Sequence, residues 1–259
     1  MLEEGVVLIV ALAASLLTFF SGFGLGTLLL PALALVFPLD VAVAATALVH
    51  LANNGFKGAL VGRSTDWRIV ARFGIPAMLA AFVGAGFLIL LDGQPVASYW
   101  FLGERAVTGL GLVVGLLITA FALFELIPRL RAWTVAPRWL PVGGLLSGFF
   151  GGLSGHQGAL RSVFLTRVLS DTKVFVATGT LCAILVDVAR LGVYASRYAE
   201  DASVLESADW WLLAGATAMA LAGALLGARL LPKATLGGVR TLVGGLLLVL
   251  GPLIAAGLV

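Results

Sequence analysis

The sequence Ser21-Gly22-Phe23-Gly24-Leu25-Gly26 interrupts one long apolar stretch, and Gly151-Gly152-Leu153-Ser154-Gly155-His156-Gln157-Gly158 interrupts a second one. As an unbroken helix, the first stretch, about residues 5–37, would be roughly 50 Å long at 1.5 Å per residue. The hydrocarbon core of a bilayer is only about 30 Å thick. Irregular backbone at membrane depth is tolerated only where protein or a cavity surrounds it. Because interruptions in corresponding halves of a chain typically mark a binding site, these two breaks are the predicted functional centre.

Composition places the chain in a membrane. Of its 259 residues, 61% are hydrophobic and 11% are charged, and the mean hydropathy is +1.10. A soluble domain is about half apolar and about a quarter charged. The net charge of +3 comes from basic residues in short loops, which does not favour a nucleic-acid partner. Glu3 and Glu4 have the wrong sign for a secretory signal, and we expect no soluble domain before, within or after the membrane part. The single Cys182 excludes an intrachain disulfide.

Helix-breaking residues divide the chain into an all-α polytopic membrane protein with two similar halves. Residues 1–127 form the first predicted repeat, residues 128–140 a cytoplasmic connector, and residues 141–259 the second repeat. Ala45-Thr46 recurs as Ala177-Thr178, and Asp66-Trp67 recurs as Asp209-Trp210, in the same order. The predicted helices cover about residues 5–20, 27–37, 41–61, 67–91, 103–126, 140–150, 157–169, 172–197, 210–231 and 236–258.

The distribution of basic residues favours a particular topology. If each interrupted segment crosses the membrane, loop Arg and Lys residues are divided almost equally between the two sides. If each is a re-entrant hairpin that returns to its own side, the basic residues gather on one side, with only Arg105 and Arg197 opposite. The positive-inside rule favours the second arrangement. It predicts six full spans and two hairpins, both termini outside, and two halves inverted relative to each other, with the hairpin tips meeting near the midplane.

The helices that leave the breaks predict an anion site. Their N-termini present unpaired N–H groups and the positive end of a dipole. The alternative is that these glycines serve only close helix packing. The candidate binding residues at the two breaks are Ser21, Gly22, Gly24, Gly26, Thr27, Ser154, Gly155, His156 and Gln157.

Polar side chains inside the predicted spans extend this set. His50, Asn53, Asn54 and Lys57 share one helical face, and we place His50, Asn53 and Asn54 in the substrate site. His50 is either a proton site or an interhelical hydrogen-bond partner. Intramembrane ionisable groups are costly and usually functional, so the following four are also candidates. Arg161 is a candidate substrate ligand, and Asp187, Arg190 and Lys57 are candidates for coupling or ion pairing.

These ionisable residues have alternative explanations. Asp187 could equally form a structural ion pair with Arg190 or Arg161. For Lys57 and Arg190 the alternative is that their side chains extend, by snorkelling, to a membrane interface. We favour a bound anion over Asp187 as the partner of Arg161, which lies about one turn into a helix that begins at a break.

No enzyme constellation is recognisable. His50 and His156 are the two histidines of the chain, too few for a typical histidine-rich metal cluster, and neither a Walker motif nor a haem motif is present. The sequence therefore predicts no cofactor, no metal and no enzymatic activity.

The motifs Gly22-Phe23-Gly24-Leu25-Gly26, with Pro31 after it, and Ala44-Ala45-Thr46-Ala47-Leu48 resemble the first-half signature of the TauE/SafE sulfite exporter family. The second break and Ala177-Thr178-Gly179-Thr180 resemble its repeat, with Arg161 at the position that matches Pro31. The resemblance spans nearly the whole chain. It implies a transporter that exports sulfite, sulfoacetate or related organosulfonates.

The predicted partners are a small anion and the lipid bilayer, and the predicted location is a bacterial inner membrane. A non-transporting membrane sensor or an assembly subunit is the alternative. The exact substrate, the direction and coupling ion of transport, and the oligomeric state stay open at this point.

Overall fold

The computed structural model describes residues 2–18, 25–91, 93, 95–101, 103–131, 134–200, 209–230 and 236–258. Within these residues it is helical almost throughout, as the apolar runs predict. The helices are α1 (Leu2–Thr18), α2 (Leu25–Leu33), α3 (Leu39–Val61), α4 (Trp67–Leu91, with a π-helical segment at Val70–Gly74), α5 (Gly109–Leu126), α6 (Leu140–Ser154), α7 (Gly158–Leu165), α8 (Thr172–Glu200), α9 (Trp210–Leu230) and α10 (Leu236–Ala255). Single turns at Gly62–Ser64, Pro128–Arg131 and Pro137–Trp139 lie in the connections.

Polar caps determine where several helices begin. The Asp66 carboxylate accepts from the backbone N–H of Arg68 and Ile69 at the start of α4. Asp209 caps α9 through Trp211 and Leu212 in the same way. Each carboxylate satisfies two of the amides that a helix N-terminus leaves unpaired. The two predicted Asp-Trp starts are therefore confirmed.

The predicted helix from residue 103 is wrong at its beginning. Strands β1 (Pro95–Trp100) and β2 (Glu104–Thr108) instead form an antiparallel hairpin, and α5 starts only at Gly109. Val96, Tyr99, Trp100, Val107 and Thr108 belong to residue types that favour strands. Thr108 then caps α5 by accepting from the Gly111 N–H at 3.0 Å. Other helix ends shift by a few residues: α2 stops at Leu33, α7 at Leu165 and α10 at Ala255, whereas α6 continues to Ser154.

Glycines permit the closest helix contacts. A β-carbon at Gly148 of α6 would overlap the Ala77 carbonyl of α4, and one at Gly223 of α9 would overlap the Leu12 carbonyl of α1. Such small-residue contacts are typical of helix packing in membranes, because they let the backbones approach closely. The α4–α6 contact repeats along both helices. Its glycines are Gly144, Gly148 and Gly152, which lie against the carbonyls of Phe73, Ala77 and Ala81.

The packing partners exchange between the two halves. Each of four helices from the first half packs on a helix from the second half: α1 on α9, α3 on α8, α4 on α6 and α5 on α10. The second helix of each interrupted segment packs against the first, α2 on α1 and α7 on α6. The inversion of the halves in a membrane stays a prediction.

Three helices of the described residues are long and apolar enough to cross a membrane: Trp67–Leu91, Thr172–Arg197 and Trp210–Arg229. Only 33% of the most apolar window of Trp67–Leu91 is buried, so most of this apolar surface faces outward. Apolar surface of this extent is stable against lipid and not against water. The chain is therefore an all-α multi-pass membrane protein.

Candidate functional site

Gly26, at the described end of the first break, meets the second break in the interior of the protein. A β-carbon at Gly26, the second residue of α2, would lie 3.5 Å from the carbonyl oxygen of Gly155, which ends α6. The same point is 3.8 Å from both His50 Cδ2 and Thr46 Cγ2 of α3. The described end of the first interrupted segment thus touches the tip of the second. We call this contact region, formed by Gly26, Thr46, His50 and Gly155, the junction.

Gly155 is a position that only glycine fits well. Its φ is +80°, in the left-handed region, where it ends α6 and donates its N–H to the Gly151 carbonyl at 2.9 Å. A β-carbon there would also lie 2.8 Å from Arg190 Nη1. The glycine therefore both permits the turn and brings a guanidinium against the tip of the break.

Asp187 of α8 organises the charges beside the junction. One carboxylate oxygen accepts from Arg190 Nε at 3.0 Å and from Nη2 at 2.8 Å. The other oxygen is 2.7 Å from His50 Nδ1 and accepts from the Asn54 amide at 3.1 Å. Asp187 and Arg190 are both 0% exposed. Because the carboxylate accepts at Nδ1, that nitrogen of His50 carries the proton in this arrangement.

Arg190 is thus a structural ion-pair partner of Asp187, as one of the two sequence interpretations held. The alternative that Arg190 and Lys57 snorkel to an interface is wrong, since their exposed fractions are 0% and 5%. Arg190 donates to the Asp187 carboxylate through Nε and Nη2, and its third nitrogen, Nη1, is directed at Gly155. The ion pair therefore orients the remaining guanidinium donors toward the junction.

Gln157 connects Arg161 to this cluster. Its amide nitrogen donates to Asp187 Oδ1 at 3.4 Å, and its amide oxygen accepts from Arg161 Nη1 at 3.5 Å. Arg161 is 4% exposed and lies beside Gly179 of α8. Arg161, Gln157 and Asp187 therefore form one continuous polar chain behind the second break.

His156 is fixed by its neighbours. Its Nδ1 lies 3.0 Å from both the carbonyl and the hydroxyl oxygen of Ser154, and its ring stacks on Phe121 of α5 with centroids 5.7 Å apart. The Ser154 hydroxyl also donates to the Phe150 carbonyl at 3.2 Å. With Nδ1 and the ring face fixed, the free edge of the imidazole is Nε2.

Asn53 lies apart from Asp187, although it shares a helix with His50 and Asn54. In the amide orientation that satisfies every neighbour, its nitrogen donates to Ser15 Oγ at 3.0 Å and to the Ala220 carbonyl at 3.2 Å. Its oxygen accepts from Lys57 Nζ at 3.3 Å. These bonds connect α1, α3 and α9, so the structure gives Asn53 an interhelical role, while its predicted substrate contact stays a prediction.

Four buried polar side-chain atoms have no hydrogen-bond partner among the described residues: Thr46 Oγ1, Thr65 Oγ1, His156 Nε2 and Arg190 Nη1. Thr65 lies in the connection between α3 and α4, whereas each of the other three atoms belongs to a residue of the junction or to a side chain that contacts or adjoins Gly155. A buried polar atom without a partner costs about 1–3 kcal/mol. A bound ligand with several acceptor oxygens would satisfy the donors.

The remaining predicted residues divide into two groups. Thr27 is buried in α2, beside Gly26. Ser21, Gly22 and Gly24 lie outside the described residues, so their predicted roles are untested. No group of three or more His, Cys, Asp or Glu residues arranged for a metal occurs in the part of the chain that the structure describes.

Sequence reasoning missed Thr46 as a site residue. A usable signal exists, because Thr46 precedes His50 by four residues and therefore shares its helical face. Its repeat counterpart, Thr178, accepts from the Asp66 backbone N–H at 2.9 Å. The partnerless Thr46 hydroxyl thus differs from its counterpart in the other half.

The fold and the interrupted helices define a class, the polytopic membrane proteins with interrupted helices, and this architecture is common among transporters. The family model described as "Sulfite exporter TauE/SafE" matches residues 7–253, and the chain belongs to this family. Comparisons with curated proteins and with solved structures gave no match.

Proposed function

We propose that this protein exports small sulfur-containing anions, such as sulfite, sulfoacetate or related organosulfonates, from the bacterial cytoplasm across the inner membrane. The family supports membrane export of such anions. The observation that carries the proposal is the set of three partnerless buried atoms in or next to the junction, Thr46 Oγ1, His156 Nε2 and Arg190 Nη1. A sulfur oxyanion presents three oxygens around one centre and accepts from a guanidinium in a forked geometry.

In this proposal Arg190 is the first anchor of the anion. Asp187 holds the guanidinium in place through Nε and Nη2, so little side-chain entropy is lost when Nη1 binds the substrate. Gly26 and Gly155 allow the backbone to approach the anion without a side chain between them. Release to either side follows movement of the two interrupted segments relative to the helices that pack on them.

The membrane potential alone supplies enough energy for export. A divalent anion that leaves a cell at 100 mV gains about 4.6 kcal/mol, from roughly 2.3 kcal/mol per charge. That corresponds to more than three powers of ten in concentration, at about 1.4 kcal/mol each. We therefore expect efflux that needs no coupled ion.

The test is efflux from proteoliposomes that contain the purified full chain and are loaded with sulfite. A potassium gradient with valinomycin imposes an inside-negative potential while the pH is equal on both sides. We expect potential-dependent efflux that Arg190→Gln abolishes and Arg167→Gln leaves unchanged, because Arg167 is exposed. No efflux under either a potential or a pH gradient would contradict transport and favour a sensor or an assembly subunit. Efflux only with a pH gradient would instead indicate obligatory proton coupling.

A further inference from the structure

A cavity that the anion site does not use lies where the connection between α3 and α4 meets the start of α8. Its volume is about 560 Å³, within the range of pockets that hold small ligands. Its lining includes Arg63, Ser64, Thr65, Asp66, Arg68 and Val174. On α8, Val174 precedes Asp187 by thirteen residues, or about 20 Å at 1.5 Å per residue. The cavity is therefore separate from the junction.

Two guanidinium groups and a hydroxyl group give this cavity its hydrogen-bond donors. Arg63 and Arg68 are exposed at its walls. Thr65 Oγ1 is a buried atom with no hydrogen-bond partner among the described residues. The Asp66 carboxylate also lines the cavity, and one of its oxygens accepts from the backbone N–H groups of Arg68 and Ile69. Guanidinium groups beside a hydroxyl suit the oxygens of a phosphate group, which accept several hydrogen bonds at once.

The cavity lies at the boundary of the membrane. Two helices that are long and apolar enough to cross a bilayer, Trp67–Leu91 and Thr172–Arg197, both begin beside it. The Trp67 side chain lines it and is 67% exposed, and tryptophan is enriched at the level of lipid headgroups. Exposed apolar side chains continue from there along α4 at Ile75, Leu79 and Val83. A ligand with a phosphate group and apolar chains fits this arrangement, because both of its parts meet a matching surface.

The two Asp-Trp helix starts differ around their caps. Asp209 begins α9 with the same two hydrogen bonds by which Asp66 begins α4. The positions that correspond to Arg63, Thr65 and Arg68 hold Glu206, Ala208 and Trp211. The cap by itself therefore does not account for the two arginines and the hydroxyl of the first helix start.

We propose that this cavity binds the phosphate group of an anionic phospholipid, with Arg63 and Arg68 as charged ligands and Thr65 as a hydroxyl donor. The acyl chains lie along the exposed apolar face of α4, and Trp67 lies beside the headgroup. Basic pockets between membrane helices commonly hold such headgroups. The inference goes beyond the proposed function, because this lipid is a bound partner and not the transported anion.

The test is native mass spectrometry of the full chain, which is titrated in detergent with dioleoylphosphatidylglycerol or with dioleoylphosphatidylcholine. The two lipids have the same acyl chains and differ in net charge. We expect the anionic lipid to bind at least about tenfold more tightly, because the arginines repel the choline group of the zwitterionic lipid.

Variants of the lining test the assigned residues. The double variant Arg63→Gln/Arg68→Gln should weaken binding of the anionic lipid about thirtyfold, at roughly one power of five per basic residue. Thr65→Val keeps the side-chain shape without the hydroxyl and should weaken it roughly three- to tenfold. The matched control is Arg129→Gln/Arg167→Gln, which removes the same charge from two exposed arginines outside the cavity. We expect this control to retain the wild-type affinity.

Inorganic phosphate distinguishes a lipid site from a site for a free anion. We expect millimolar phosphate to leave the lipid bound, because phosphate lacks the acyl chains that contact α4. If phosphate displaces the lipid and raises Tm in the wild type but not in Arg63→Gln/Arg68→Gln, the ligand is free phosphate and the lipid assignment is wrong. Equal affinity for the two lipids, or equal losses in the double variant and its control, overturns the proposal.

Discussion

The ion pair between Asp187 and Arg190 permits a quantitative test of stability and binding together. Asp187→Asn keeps the shape of the side chain and removes its charge. Arg190, which is 0% exposed, then loses its carboxylate partner. Breaking a buried ion pair by removing one partner costs about 3–5 kcal/mol. The Asp187 carboxylate also accepts from His50 and Asn54, so we expect a value in this range and not below it.

The cost is measurable as a shift in thermal unfolding. For a chain of about this size, 1 kcal/mol lowers Tm by roughly 2–4 °C, so Asp187→Asn should lower Tm by about 6–20 °C. Tryptophan fluorescence of the purified protein in detergent follows the transition, since the chain contains six Trp residues. The double variant Asp187→Asn/Arg190→Met removes both charges, and we expect a higher Tm than in Asp187→Asn alone.

Measurements of sulfite affinity distinguish the role of Arg190 in the ion pair from its role in anion binding. In the double variant, stability recovers while affinity for sulfite stays low, because the donors of Nη1 are absent. Two results would refute the reasoning. If the losses of the single variants add in the double variant, the pair is not energetically coupled. If well-folded Arg190→Met binds sulfite as the wild type does, Arg190 does not anchor the anion.

Three further predictions follow from the same region and from the topology. Gly155→Ala should destabilise the protein by about 1–2 kcal/mol and weaken anion binding, because Gly155 has a positive φ and lies against Arg190. The control Gly192→Ala should not destabilise the protein, because a β-carbon there would have nothing within 4 Å. Equal Tm values for the two variants would contradict this prediction. If the anion is the partner of Arg161, Arg161→Gln should weaken substrate affinity at least about tenfold with little change in Tm. A large decrease in Tm that is reversed by adding Asp187→Asn would instead indicate a structural ion pair between Arg161 and Asp187. Reporter fusions should place both termini outside and residues 128–140 inside, and a cytoplasmic C-terminus would contradict the inverted-hairpin topology.

Several features of the candidate site were accessible from one sequence because they depend on local spacing. His50, Asn54 and Lys57 share a face at helical spacing, and Gly155 and Gln157 occur in a recognisable break. Their partners were not accessible in this way. Asp187 lies 137 residues from His50, and only the packing of α3 on α8 brings the two side chains within 2.7 Å. Asn53 was assigned to the substrate site because of its helical face; the structure adds its bonds to Ser15 of α1 and Ala220 of α9, and its substrate contact stays a prediction.

The sequence by itself determined the membrane class, most helix positions and the two breaks, because apolar length, proline, glycine and capping residues act within a few residues of their own position. It misassigned residues 104–108, because the pairing of β2 with β1 outweighed an apolar pattern that continued into α5. Only the tertiary structure decided that Gly26 meets Gly155, that Asp187 orients Arg190, and that Thr46, His156 and Arg190 each leave a polar atom without a partner. These properties depend on distances between helices that are far apart in the chain, and such distances are set by the packing of whole helix faces.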